Sequence, residues 1–165
     1  MSEIYGLMYY SFCDPDLDTT VLQYIVGQAR LRNQLKRVTG QLHFENGIFL
    51  QWIEGSLRGV EDVFGHIAVD PHHVNLKVIH SSFIPVRHFG TWDMAFSNNH
   101  DQSLLSFMQS NDLSLENDDK ETIMYLIHFL GCASMSNDQQ IGSVKSAKKE
   151  HSVTRNHYVP ARLMK

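Results

Sequence analysis

The chain has 165 residues, 18 acidic and 14 basic, with a formal net charge of −4 and two cysteines. That length suits one domain with a short appendage. No stretch approaches the roughly 20 apolar residues a membrane helix needs, and "MSEIYGLMYYSF" lacks the basic start and small-residue cleavage site of a signal peptide, so cytoplasmic residence is the expectation.

Charge is uneven along the chain. From Ser136 onward six basic residues (Lys145, Lys148, Lys149, Arg155, Arg162 and Lys165) stand against Asp138 and Glu150, leaving the tail at +4 and the rest at −8. An acidic body is a poor partner for nucleic acid, and such a tail reads as solvated and disordered. Cys13 and Cys132 have no metal-ligand spacing and read as free thiols.

"EIYGLMYYS" reads as a first strand, apolar on both faces. After the turn-rich "FCDPDLD", Asp18 or Thr19 caps a helix to about Asn33, with Leu22, Ile25, Val26 and Ala29 on one face. "VTGQLHF" and "GIFLQWIE" flank "ENG", a strong hairpin signal, because a type I′ turn needs φ > 0 at both central residues. Ser56 caps a second helix carrying Leu57, Val60, Val63, Phe64 and Ile67 on one stripe, and Asp70-Pro71 stops it. "VNLKVIHSSFI" and "HFGTWDMAF" read as two further strands. The order β-α-β-β-α-β-β is that of a ferredoxin-like, split β-α-β sheet with an extra strand: an α+β fold with a five-stranded mixed sheet and both crossover helices on one face.

Strand parity puts Phe49, Gln51 and Ile53 on one face and Ile48, Leu50 and Trp52 on the other; Tyr5, Leu7 and Tyr9 oppose Met8 and Tyr10. Both faces are apolar, so both need covering. The crossover helices cover one. Two short helices from "DQSLLSFMQ" and "NDDKETIMYLIHFLG", the second capped by Asn117, are expected over Met8, Tyr10, Leu42, Leu50 and Trp52, or against a second subunit. The second presents a wide apolar face, with Ile123, Met124, Leu126, Ile127 and Leu130, which suggests a homo-oligomer.

Gln51 is the anomaly. An amide buried without partners costs on the order of 1–3 kcal/mol, so something must face it. On its face stand Tyr9, with Ile25 and Asn33 from the first helix; Trp92 and Met94 share a face of the last strand. A phenol, two amides, a thioether and aliphatic walls suit a flat heteroaromatic ligand with polar edges.

The pieces "GLMYYS", "RNQLKRVTGQLHF", "GIFLQWIEG", "VFGHIAVDPHH" and "FGTWDMAF" carry a resemblance over residues 3–96. The chain resembles a BLUF domain, the family of blue-light sensors that use FAD. The resemblance implies that Tyr9 donates an electron and then a proton to excited flavin, and that Gln51 bridges Tyr9 and the flavin edge and rearranges afterwards. It implies that Asn33 holds the pyrimidine edge, that Ile25 and Ile67 sandwich the ring, and that Asp70 touches the ribityl chain. Arg32, Phe49 and His72 complete the expected cofactor contacts, and Trp92 or Met94 carries the signal away. His66 and His72 stand where relatives often have arginine, so FMN and riboflavin remain alternatives to FAD.

Three rivals stand beside this reading. His66 and Asp70, one helical turn apart, with His72 and His73 could hold zinc, but Pro71 breaks the geometry, and no metal is expected. A cysteine-adduct photosensor fails because neither Cys13 nor Cys132 sits in such a motif. A cofactor-free ferredoxin-like interaction module is the main alternative. The expected organisation is a flavin-binding domain over 1–97, a helical extension over 98–135 and a disordered basic tail over 136–165. The function expected is sensing rather than catalysis, with output passing through the helices to a separate signalling protein.

Overall fold

The computed structural model describes residues 3–90 and 93–133. Strand β1 (Ile4–Phe12) leads to helix α1 (Thr19–Lys36), the hairpin β2 (Thr39–Glu45) and β3 (Ile48–Gly55), helix α2 (Leu57–Ala68), and strands β4 (Val74–Ile84) and β5 (Ala95–Asn98). Helix α3 (Leu104–Ser110) follows, and residues 120–133 form a further helix, α4. The strands lie in the order β4-β1-β3-β2-β5, antiparallel throughout except for the parallel β2–β5 pair. This is the expected ferredoxin-like α+β sheet with one added strand.

Local chemistry sets the boundaries. Asp18 accepts from Thr20 N at 2.7 Å and starts α1; Ser56 Oγ accepts from Gly59 N at 3.2 Å and starts α2. The Asn46-Gly47 turn has φ of 49° and 77°, the left-handed pair the hairpin requires. Gly6 is needed for another reason: a Cβ there would lie 2.3 Å from the Trp52 ring, which crosses β1 at that point.

The sheet separates two cores. The front core, under α1 and α2, holds Leu7, Tyr9, Ile25, Phe49, Ile53, Val63 and Ile67. The back core holds Met8, Tyr10, Leu50 and Trp52 under Leu104, Leu115, Ile123, Leu126, Phe129 and Leu130, so α3 and α4 cover the rear face as expected. Met124, placed on the wide apolar face of α4 by its sequence, is instead 53 % exposed.

Other expectations need correction. Leu42 belongs to the front core, because it lies opposite Gln51 and cross-strand partners share a face. Gln41 and His43 take the rear positions. Helix α1 continues past Asn33 to Lys36, and Arg37, in the left-handed conformation, closes it. Asp119 rather than Asn117 caps α4, accepting from Thr122 N at 2.9 Å and Thr122 Oγ1 at 2.7 Å. Strand β5 starts at Ala95, later than "HFGTWDMAF" suggests. Four described residues before it, at 88, 89, 93 and 94, are held by side chains. The buried Glu54 carboxylate accepts from His88 N (2.8 Å) and Phe89 N (2.6 Å), while the carbonyls of Asp93 and Met94 accept from Asn33 Nδ2 (2.7 Å) and Arg30 Nε (3.0 Å). No described helix is long and apolar enough to cross a membrane. Trp92 and the basic tail lie outside the described residues.

Candidate functional site

The pairing of β1 with β3 sets Tyr9 directly opposite Gln51 at the centre of the sheet. Both side chains enter the front core. The Tyr9 hydroxyl donates to Gln51 Oε1, and Gln51 Nε2 donates to Met94 Sδ at 3.3 Å. The puzzle of the buried amide is thus resolved in part: one end is held by a phenol, the other by a thioether, a weak acceptor. Tyr9 is fully buried, and burial, reinforced by the Asp70 charge and opposed by Arg32, raises its pKa far above that of a free phenol. The ring therefore stays neutral. Phe64 packs edge-on against it at 5.7 Å.

Between α1 and α2 a cleft of about 470 Å³ opens toward this pair. That is within the range of roughly 300–1,000 Å³ typical of small-molecule sites. Of the residues expected from the sequence to contact a cofactor, Ile25, Arg32, Gln51, Ile67, Asp70 and His72 line it. Tyr24, Gln28, Leu42, Pro71 and His73 line it as well. The sequence pattern does not mark these as cofactor contacts: Tyr24 and Gln28 fall outside the apolar stripe of α1, and the face of Leu42 is set by its pairing with Gln51. Tyr9, Asn33 and Phe49 do not border the cleft; they are buried beneath or beside it.

Asn33 is informative. Its Nδ2 holds the Asp93 carbonyl, but Oδ1 is buried with no hydrogen-bond partner among the described residues. Such an acceptor is costly unless a ligand N–H meets it. The pyrimidine edge of a flavin carries an N–H of that kind, so the residues present fit the cofactor that the sequence resemblance implies.

The polar mouth is formed by Asp70 and His72, whose Oδ1 and Nδ1 are 2.8 Å apart. Burial pushes the Asp70 carboxyl up, but hydrogen bonds from the His72 backbone and ring, with the nearby imidazoles, outweigh it and hold it below the ordinary range. His73 turns inward: Nδ1 lies 2.7 Å from Ser11 Oγ, and the ring packs on Phe49 at 4.7 Å. Burial lowers its pKa to about 4, against the attraction of Asp70. No group of three or more His, Cys, Asp or Glu side chains among the described residues is placed to hold a metal.

A five-stranded ferredoxin-like sheet with a cleft between its crossover helices and a tyrosine–glutamine pair at its floor defines a ligand-binding α+β domain. Residues 4–95 match the family described as BLUF, sensors of blue-light using FAD, and the chain belongs to that family of flavin-binding photoreceptor domains. It is 32 % identical over 84 residues to the blue light- and temperature-regulated antirepressor BluF of Escherichia coli (strain K12), an alignment covering 51 % of this chain and 21 % of that protein. The dark-state structure of BlrB, a BLUF protein, superposes with a TM-score of 0.68 at 25 % identity, covering 81 % of this chain and 98 % of that one. A bacterial light-regulated adenylyl cyclase gives a TM-score of 0.60 at 28 % identity over 66 % of this chain and 34 % of the cyclase. The chain thus spans about a fifth of the antirepressor and a third of the cyclase.

Proposed function

We propose that this chain is a blue-light photoreceptor that binds FAD non-covalently, with Tyr9, Gln51 and Met94 as its photoactive residues. When bound, the flavin supplies absorption of blue light and an excited-state acceptor able to oxidise a neutral phenol. Everything else is work for the chain's own side chains. Ile25 and Ile67 would hold the ring between α1 and α2, Asn33 Oδ1 would accept from its pyrimidine edge, Asp70 would meet the ribityl chain, and Phe49, Arg32 and His72 would complete the binding set; FMN and riboflavin share that ring and are candidates beside FAD.

The observation that carries the reading is the amide bridge between a buried phenol and a thioether. An oxidised phenol is strongly acidic, and the Tyr9 proton already points at Gln51 Oε1. Loss of the electron therefore drives the proton toward Gln51. When charge returns, the amide can settle by tautomerisation, which moves a proton between its nitrogen and oxygen in place, or by rotation, which exchanges its two ends. After rotation oxygen faces Met94 Sδ, which cannot donate, and the favourable N–H···S contact is lost. A shift of about 1 kcal/mol in one buried hydrogen bond moves a two-state population several-fold. Met94 directly precedes β5, so the change leaves through that strand toward α3 and α4 and on to a separate signalling protein. In this reading the chain is a sensor and not an enzyme, working in the cytoplasm as a homo-oligomer.

The test is spectroscopic. Purified protein is expected to be yellow, with a flavin band that blue light moves reversibly to longer wavelength. A colourless protein that takes up no added FAD would instead favour a cofactor-free interaction module.

A further inference from the structure

Behind β2 and β5 lies a chain of buried polar groups that the photoactive site does not use. Gln41, His43, Glu45 and Ser97 are all at most 4 % exposed, beneath the Phe129 ring of α4, which meets His43 edge-on at 4.9 Å. Gln41 Nε2 donates to Ser97 Oγ at 3.0 Å, and Ser97 Oγ lies 3.0 Å from His43 Nδ1. His43 Nε2 lies 3.4 Å from Glu45 Oε2. The same carboxylate accepts from Leu104 N at 2.5 Å and Ser103 Oγ at 2.8 Å, the first residues of α3 and its cap.

The chemistry allows one assignment of the protons. Burial lowers the pKa of His43 despite the pull of Glu45, so the ring is neutral with a single N–H. A carboxylate only accepts, so that N–H is on Nε2. Nδ1 is then an acceptor, and Ser97, which accepts from Gln41, gives its own proton to His43. Donors thus point in one direction from Gln41 through Ser97 and His43 to Glu45, where they meet the donors of α3. Ser97 is three residues beyond Met94 and is the only member on β5.

We propose that Ser97, His43 and Glu45 are positioning residues that clamp β5 to the start of α3, so that a displacement of β5 beginning at Met94 is delivered to α3 and α4. The inference rests on the light-sensing reading above and names the contacts by which the signal crosses the sheet. A hydroxyl with one proton and two fixed partners tolerates little sliding, so movement of β5 along β2 breaks the line at Ser97.

The test compares amide hydrogen exchange in darkness and under blue light, on the full FAD-loaded chain, for wild type, S97A, S97T and E45Q. In wild type, light is expected to change exchange at Leu104–Ser110. S97A and E45Q are expected to keep the flavin band shift while the light-dependent change in α3 falls about five-fold or more. S97T retains the hydroxyl and is expected to restore it, which a purely space-filling role would not require. An undiminished light effect in both S97A and E45Q overturns the proposal, as does failure of S97T to rescue. A wild type whose flavin band shifts without any change in α3 overturns the clamp and leaves the light-sensing reading standing. A wild type with no band shift overturns both.

Discussion

The two faces of the sheet solve opposite problems. On the rear, Trp52, Leu126, Phe129 and Leu130 are essentially inaccessible, and the buried carboxylates of Glu45 and Glu54 are each saturated with donors. On the front, the crossover helices stop short of closure and leave a cleft. Among the described residues each face keeps one buried amide oxygen without a partner, Asn33 Oδ1 on the front and Gln41 Oε1 on the rear, so it is the open cleft that leaves part of the front's stability to a ligand. Gln51, on the front, and Ser97, on the rear, lie on strands that touch both environments.

The largest expected effects are on the rear. Glu54 accepts from Trp52 Nε1 at 2.9 Å as well as from His88 N and Phe89 N. Glu54→Leu strands these buried donors, at about 1–3 kcal/mol each, and should nearly abolish folding in a denaturant titration. Phe129→Ala should cost about 3–5 kcal/mol in the same measurement, with the denaturant slope unchanged.

On the front, stability should track occupancy. Adding FAD to the flavin-free chain at 100 times its dissociation constant is expected to raise unfolding stability by about 2.7 kcal/mol. Ile67→Ala should reduce flavin retention more than it reduces the stability of the flavin-free chain. Equal losses would erase the distinction between the faces.

A smaller effect concerns His73. Its folded-state pKa of about 4 lies below the ordinary value near 6.5, so the unfolded chain takes up the proton first as pH falls. Stability is full above about pH 6.5 and is lost progressively from there down to about pH 4. Allowing for the ring's partial exposure, this amounts to on the order of 2 kcal/mol. His73→Phe should flatten that window in equilibrium unfolding. The smallest effect is expected at sulfur: Cys13→Ala and Cys132→Ala should leave the photocycle intact by absorption spectroscopy.

What the sequence made legible follows from how local the physics is. Asp18, Ser56 and Asn46-Gly47 act on their own neighbours, so the helix starts and the hairpin could be read directly. Parity along β3 placed Gln51, Leu50 and Trp52 correctly because alternation is internal to a strand. Leu42 was misplaced because its face depends on cross-strand register. The start of β5 was invisible for a similar reason: Asn33, Arg30 and Glu54 reach residues 88, 89, 93 and 94 from 34 to 64 residues away. Of the site, Tyr9, Ile25, Asn33, Gln51 and Ile67 came through resemblance and pattern together. The rear line through His43 and Ser97 had no signal of its own, since a serine and a histidine in amphipathic strands read as ordinary solvent-facing residues.

The most direct measurement is the absorption spectrum of FAD-loaded Gln51→Leu before and after blue light. Leucine keeps the volume but neither donates nor accepts, so the variant should remain yellow and show no reversible shift of its flavin band. A shift of wild-type size would contradict the central role given to that amide.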